Sequence, residues 1–121
     1  MHIQVIQNSQ SSITSYDDTS LTISEQKYNQ SVFITSSNID TIDKSIIELN
    51  SLAISNIPLK THIDIIIIGG KALTPLNMPL NLQNQLFKEG ISLEIMSTGA
   101  ACRTFNLLLS EGRDVGFLML F

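Results

Sequence analysis

Apolar residues fall into two textures along the chain. From Met1 to about Ile57 they come in short runs broken by Ser, Thr, Asn and Gln, a spacing that suits strands better than helices. "SSITSYDDTSLTIS" predicts a hairpin, with Asp17 and Asp18 turning the chain between β-branched runs. "QSVFITSS" predicts another strand and "NIDTID" a further short one. In "NSLAISNIP", Asn50 caps a predicted short helix that Pro58 closes.

From residue 58 onward the pattern sharpens. The four isoleucines of "HIDIIIIGG" predict a strand buried on both faces and stopped by glycines. "NMPLNLQNQLFKEG" predicts a helix with Pro79 in its first turn, Leu82, Leu86 and Phe87 on its inner side and Gly90 at its C-terminal cap. "ISLEIM" is the next strand. Ser97 or Thr98 then caps a helix running to about Glu111 and ended by Gly112, and "VGFLMLF" is a final buried strand. The order strand, helix, strand, helix, strand calls for right-handed crossovers and at least one parallel pair. The whole predicts one mixed α/β domain over residues 1–121, with a strand-rich half (1–57) and a strand–helix–strand–helix–strand half (58–121).

The last predicted helix carries the candidate chemistry. At 100° per residue, Ala101, Cys102, Phe105, Leu108, Leu109 and Gly112 share a core arc. Arg103, Asn106, Ser110 and Arg113 fall opposite, with Thr104 and Glu111 at the margin and Leu107 near the middle of the polar face. Arg103 and Arg113 are the chain's two arginines, every other basic residue being lysine. A guanidinium fork binds carboxylates bidentately where lysine offers a point charge, and an apolar anchor inside a polar rim is the make-up of a protein contact. Arg103, Asn106, Leu107, Ser110 and Arg113 are therefore the candidate partner-binding residues. A solvated helix face, or a clamp from either arginine to Glu94, Glu111 or Asp114, is the structural alternative.

Composition narrows the function further. A chain of 121 residues with 43% hydrophobic and 15% charged content is a folded globular domain. The net charge of −4 and the absence of a basic stripe argue against a nucleic-acid partner. One cysteine makes no disulfide, and neither a signal-peptide pattern nor a bilayer-length apolar run is seen, so the expected location is cytoplasmic. Cys102, the lone thiol, falls on the core arc and lacks a neighbouring base: His2 stands near the start of the chain, and His62 belongs at the opposite sheet end. No His/Cys/Asp/Glu set has metal-ligand spacing, and Asp17, Asp18, Asp40, Asp43 and Glu48 form no acid–base pair. No catalytic group, metal or cofactor is expected. A small-ligand or anion site, or an unrecognised enzyme, remains the alternative, in the crevice outside the strand ends at Gly69, Gly70 and Ser97, Thr98 through Ala100, where Cys102 and Glu111 belong to the same helix.

"IDIIIIGG", "GISLEIMSTGAACRTFNLLLSEGRDVG" and the spacing between them resemble a small family of α/β proteins. It includes the mitochondrial assembly factor three of respiratory complex I, an adipogenesis-associated vertebrate protein and uncharacterised bacterial and archaeal homologues. "ACRTFNLLLSEGR" is similar to the family's A-x-R-T-[YF]-N-x-L-x-x-E-[GN]-R helix. Its conserved types fall on Arg103, Thr104, Phe105, Asn106, Glu111 and Arg113. Where many members have Gly-Thr-Gly after the first buried strand, this chain has Gly69, Gly70 and Lys71. The resemblance implies a three-layer domain, a mixed central sheet with the N-terminal β-meander on one side and helices on the other. It also implies a non-enzymatic interaction module, an assembly factor for a membrane (respiratory) complex, peripheral to the inner membrane through subunits of that complex as protein partners.

Overall fold

The computed structural model describes residues 12–42 and 48–121. His2 and Asp43 lie outside them. Strands β1 (Ile13–Tyr16), β2 (Leu21–Ile23) and β3 (Gln26–Tyr28) form an antiparallel meander. The expected Asp17–Asp18 turn joins the first two: the Asp17 carboxylate accepts from the Thr19 N–H at 2.9 Å and the Ser20 hydroxyl at 3.0 Å. β3 was not predicted. It is only three residues long, and its hairpin turn is Ser24–Glu25, both at positive φ (50° and 68°), without the Asn-Gly or Asp-Gly signal that marks such turns.

The main sheet adds β4 (Val32–Ile34), β5 (Ile39–Thr41), β6 (Ile65–Gly70), β7 (Ser92–Ser97) and β8 (Val115–Leu120), in the order β5-β4-β8-β6-β7. β6 pairs in parallel with both β7 and β8, whereas β4 runs antiparallel to β8, so the sheet is mixed as expected. Its centre is the isoleucine run: Ile66, Ile67 and Ile68 are fully buried.

Two α-helices make the crossovers, α1 (Leu80–Lys88) from β6 to β7 and α2 (Thr98–Ser110) from β7 back over β6 to β8. The two connections travel across the sheet in opposite senses, so right-handedness requires the helices to lie on opposite faces. The packing shows this. Ala101, Cys102, Phe105 and Leu109 of α2 share a core with Ile67, Phe117 and the meander residues Ile13, Leu21 and Ile23. Leu82 and Leu86 of α1 share the other with Ile66, Ile68, Ile95 and Leu118. The helices are thus divided between the faces rather than gathered opposite the meander, which sits beside α2.

The segment before β6 forms two 3-10 turns, Leu49–Ser51 and Ile54–Asn56, in place of the short helix expected from Asn50 to Pro58. Leu52 and Ile57 are buried beside α1, a spacing of five that no helix face provides. Side-chain oxygens of Asn56 and Gln85 accept the N–H groups of Ala53 and Ile54. Both α-helices end in Schellman motifs on the predicted glycines. Gly90 and Gly112 have φ of +77° and +75°. Ile91 and Arg113 reach back to the carbonyls of Leu86 and Leu108.

Candidate functional site

The outward side of α2 holds most of the predicted contact residues, and several of them are already engaged. Asn106 acts as a strand neighbour for the edge of the meander. Its Oδ1 accepts the Ile13 N–H at 2.8 Å, and its Nδ2 donates to the Ile13 carbonyl at 2.8 Å. Both backbone groups of an edge residue, beside a bulge in β1, are thereby satisfied. Arg103 donates from Nη1 to the Tyr16 hydroxyl at 3.2 Å, and Gly99 lies beneath them. The Ser110 hydroxyl donates to the Leu107 carbonyl at 2.7 Å.

Arg113 leaves the predicted face. The helix closes at Ser110 and the positive φ of Gly112 turns the chain, so a wheel continued to residue 113 misplaces it. Among the described residues neither arginine forms an ion pair with Glu94, Glu111 or Asp114. The alternative of a clamp is therefore not realised there, and Arg103 turns to Tyr16 instead. The Leu107 side chain is 57% exposed in the middle of this face.

At the strand ends, Gly69 and Gly70 are the last two residues of β6 rather than a loop, and both are buried. A Cβ on Gly69 would stand 2.6 Å from the Ala101 Cβ, and one on Gly70 would stand 2.9 Å from Leu73 Cδ1. These glycines let α2 and the following turn pack directly on the strand. Lys71 next along carries its Nζ 3.6 Å from Asp18. Ser97 takes the N-cap position of α2 with no side-chain cap bond, and Thr98 is buried. Glu111 is exposed at the far end of α2 as its C-cap, so the structure separates it from Ser97 and the glycines. Cys102 is buried, as its place on the core arc predicts. Burial pushes its thiol up to about 12, the nearby Arg103 charge opposing only in part. Such a thiol is a packing group, not a nucleophile.

Two groupings escaped sequence reading. The first lies on α1. Phe87, expected on the inner side, is 80% exposed: the short helix buries only the Leu82–Leu86 stripe, and Phe87 is turned 100° from Leu86. Leu80, 66% exposed, lies two turns earlier on the same side as Phe87, and Leu76, 96% exposed, sits in the 3-10 turn before it. The signal available was the seven-residue spacing from Leu80 to Phe87. The second grouping is His62, Asp64 and Asp114 at the opening ends of β6 and β8, whose ligand atoms lie within 4.8 Å of one another. No sequence spacing announces it, because Asp114 arrives from another strand. Asp40 has a different role, pairing with Lys60 at 2.7 Å.

No described helix is long and apolar enough to cross a membrane. Residues 13–120 match the model of a family described as "Protein of unknown function (DUF498/DUF598)". A curated relative, the "13 kDa major membrane protein" of Francisella tularensis subsp. holarctica (strain LVS), is 32% identical over 98 residues, 78% of this chain and 77% of that one. Among solved structures, XCC1710 of Xanthomonas campestris is similar with a TM-score of 0.75 at 25% identity, over 90% of this chain and 83% of that one. A structure described as "an outer membrane protein from the Bartonella henselae" has a TM-score of 0.70 at 27% identity, over 93% of this chain and 96% of that one.

Proposed function

The chain belongs to the DUF498/DUF598 family, and from that premise we propose that it is a non-enzymatic protein-interaction module, an assembly factor-like helper that docks on a membrane-bound complex. The observation that carries the reading is the set of large apolar side chains left in water: Leu76, Leu80 and Phe87 about α1, and Leu107 on α2. Scattered exposed leucines are ordinary, but Leu80 and Phe87 align on one helix side. Because α1 and α2 lie on opposite faces of the sheet, the domain offers two contact points, as a bridging helper needs. Arg103, exposed on the same side of α2, supplies polar rim beside Leu107. The relatives named as membrane proteins support a place at a membrane, and attachment through a partner is consistent with helices too short to span one.

The small-ligand alternative keeps an uncapped helix start at Ser97 with Arg103 and Lys71 nearby. It has less support, because the missing side chains of Gly69 and Gly70 are replaced by protein atoms, leaving those two residues no room for a ligand.

The test is affinity capture from native membranes with the wild type beside Leu107→Asp and Phe87→Asp. Both positions are exposed, so the variants fold. Membrane-complex subunits retained by the wild type and lost by either variant support the proposal; a true hot spot loses about 2 kcal/mol or more in binding. Membrane subunits captured equally by all three, or by none, refute it.

A further inference from the structure

The parallel register of the sheet has a consequence at the edge opposite the start of α2. Ile65 of β6 is paired with Val115 of β8, so the residues just before them, Asp64 and Asp114, enter the sheet side by side. Their backbones are tied: the Asp64 N–H donates to the Asp114 carbonyl at 2.8 Å, and the Asp64 carbonyl accepts from Ser92 of β7 at 3.0 Å. The two backbones that carry these carboxylates are thereby held at the strand spacing of ~4.8 Å. Among the described residues neither has a Lys or Arg ion pair.

Among the described residues, His62 is the basic side chain that reaches them. Its Nε2 lies 2.8 Å from Asp64 Oδ1 and 3.9 Å from Asp114 Oδ2. One ring nitrogen makes at most one such hydrogen bond, and its contact is with Asp64, leaving Asp114 beyond hydrogen-bond reach. A cation between the three atoms would satisfy all of them at once. The geometry points to a divalent transition-metal site of the zinc class, built from His62 Nε2, one oxygen of Asp64 and one of Asp114.

The donor set selects the ion. Imidazole nitrogen suits zinc and its neighbours, whereas magnesium and calcium take oxygen donors. Ligands at about 2.0–2.2 Å from a tetrahedral ion stand roughly 3.3–3.6 Å apart. The His62–Asp64 separation therefore opens slightly and the His62–Asp114 separation closes slightly. Side-chain rotation provides both movements, because all three residues are exposed while the strand openings behind them stay fixed. Water completes the coordination, so the bound ion keeps an open position. It also ties the segment before β6 to the start of β8.

The experiment is titration of zinc chloride into the full, chelator-treated chain, followed by calorimetry and by thermal unfolding, with magnesium chloride in parallel. The expected result is one zinc per chain, a rise in melting temperature, and no response to magnesium. His62→Gln and Asp114→Asn each weaken zinc binding at least about tenfold, while His2→Gln and Cys102→Ala leave it unchanged. Circular dichroism checks that the variants are folded, and because either suffices, one that fails to fold is replaced by the other. No zinc uptake overturns the assignment. Uptake unaffected by either substitution, or matched by magnesium, also overturns it and identifies an adventitious ion only.

Discussion

Replacing Asn106 with alanine separates structure from contact on the outer side of α2. The carboxamide makes two 2.8 Å hydrogen bonds to the backbone of Ile13, whose side chain is buried in the core shared with Phe105 and Phe117. Each bond contributes about 1 kcal/mol net, and an N–H or C=O left part-buried without a partner costs somewhat more. Asn106→Ala should therefore destabilise the domain by about 2–3 kcal/mol, lowering the melting temperature by about 10 °C for a chain of this size. Urea unfolding should show the lost free energy as a lower midpoint at unchanged slope. Hydrogen exchange should place the loss: the Ile13 amide exposed first, the amides of β6 still protected. Asn106→Asp keeps an acceptor for the Ile13 N–H but aims a carboxylate at the Ile13 carbonyl, so it should be no better than alanine. A change below about 0.5 kcal/mol with Ile13 still protected would refute the reasoning and return Asn106 to the list of free contact residues.

Two further predictions concern groups that sequence reading considered for chemistry. Gly69→Ala places a methyl 2.6 Å from the Ala101 Cβ and 2.9 Å from Phe117 Cε1; it should cost about 1–3 kcal/mol by overpacking, checked by thermal unfolding, and a neutral result would show that α2 is free to move off the strand. Cys102, held near 12 against an ordinary 9.0, should react with a disulfide reagent at pH 8 about a thousandfold more slowly folded than unfolded. The neutral thiol's contribution to stability is full below pH 9.0 and declines as pH rises toward 12, because the unfolded chain gives up its proton first; Cys102→Ala should flatten that alkaline decline in urea midpoints.

Local rules carried far in this chain. The helix ends at Gly90 and Gly112, the Asp17–Asp18 turn, the buried Ile66–Ile68 strand and the core arc Ala101, Cys102, Phe105 and Leu109 were all legible in the sequence. Each depends on neighbours within about one helical turn or one hairpin, where residue type and spacing fix the conformation. Strand order is another matter. That β8 inserts between β4 and β6 reverses the second crossover and puts α1 and α2 on opposite faces. The same insertion aligns Asp64 with Asp114, and the docking of the meander beside α2 commits Asn106 to Ile13 and Arg103 to Tyr16. Those pairings join residues up to 93 positions apart. Side-chain periodicity states which face of an element seeks burial, but which surface receives it depends on contacts across the whole fold. Only the tertiary structure decided them.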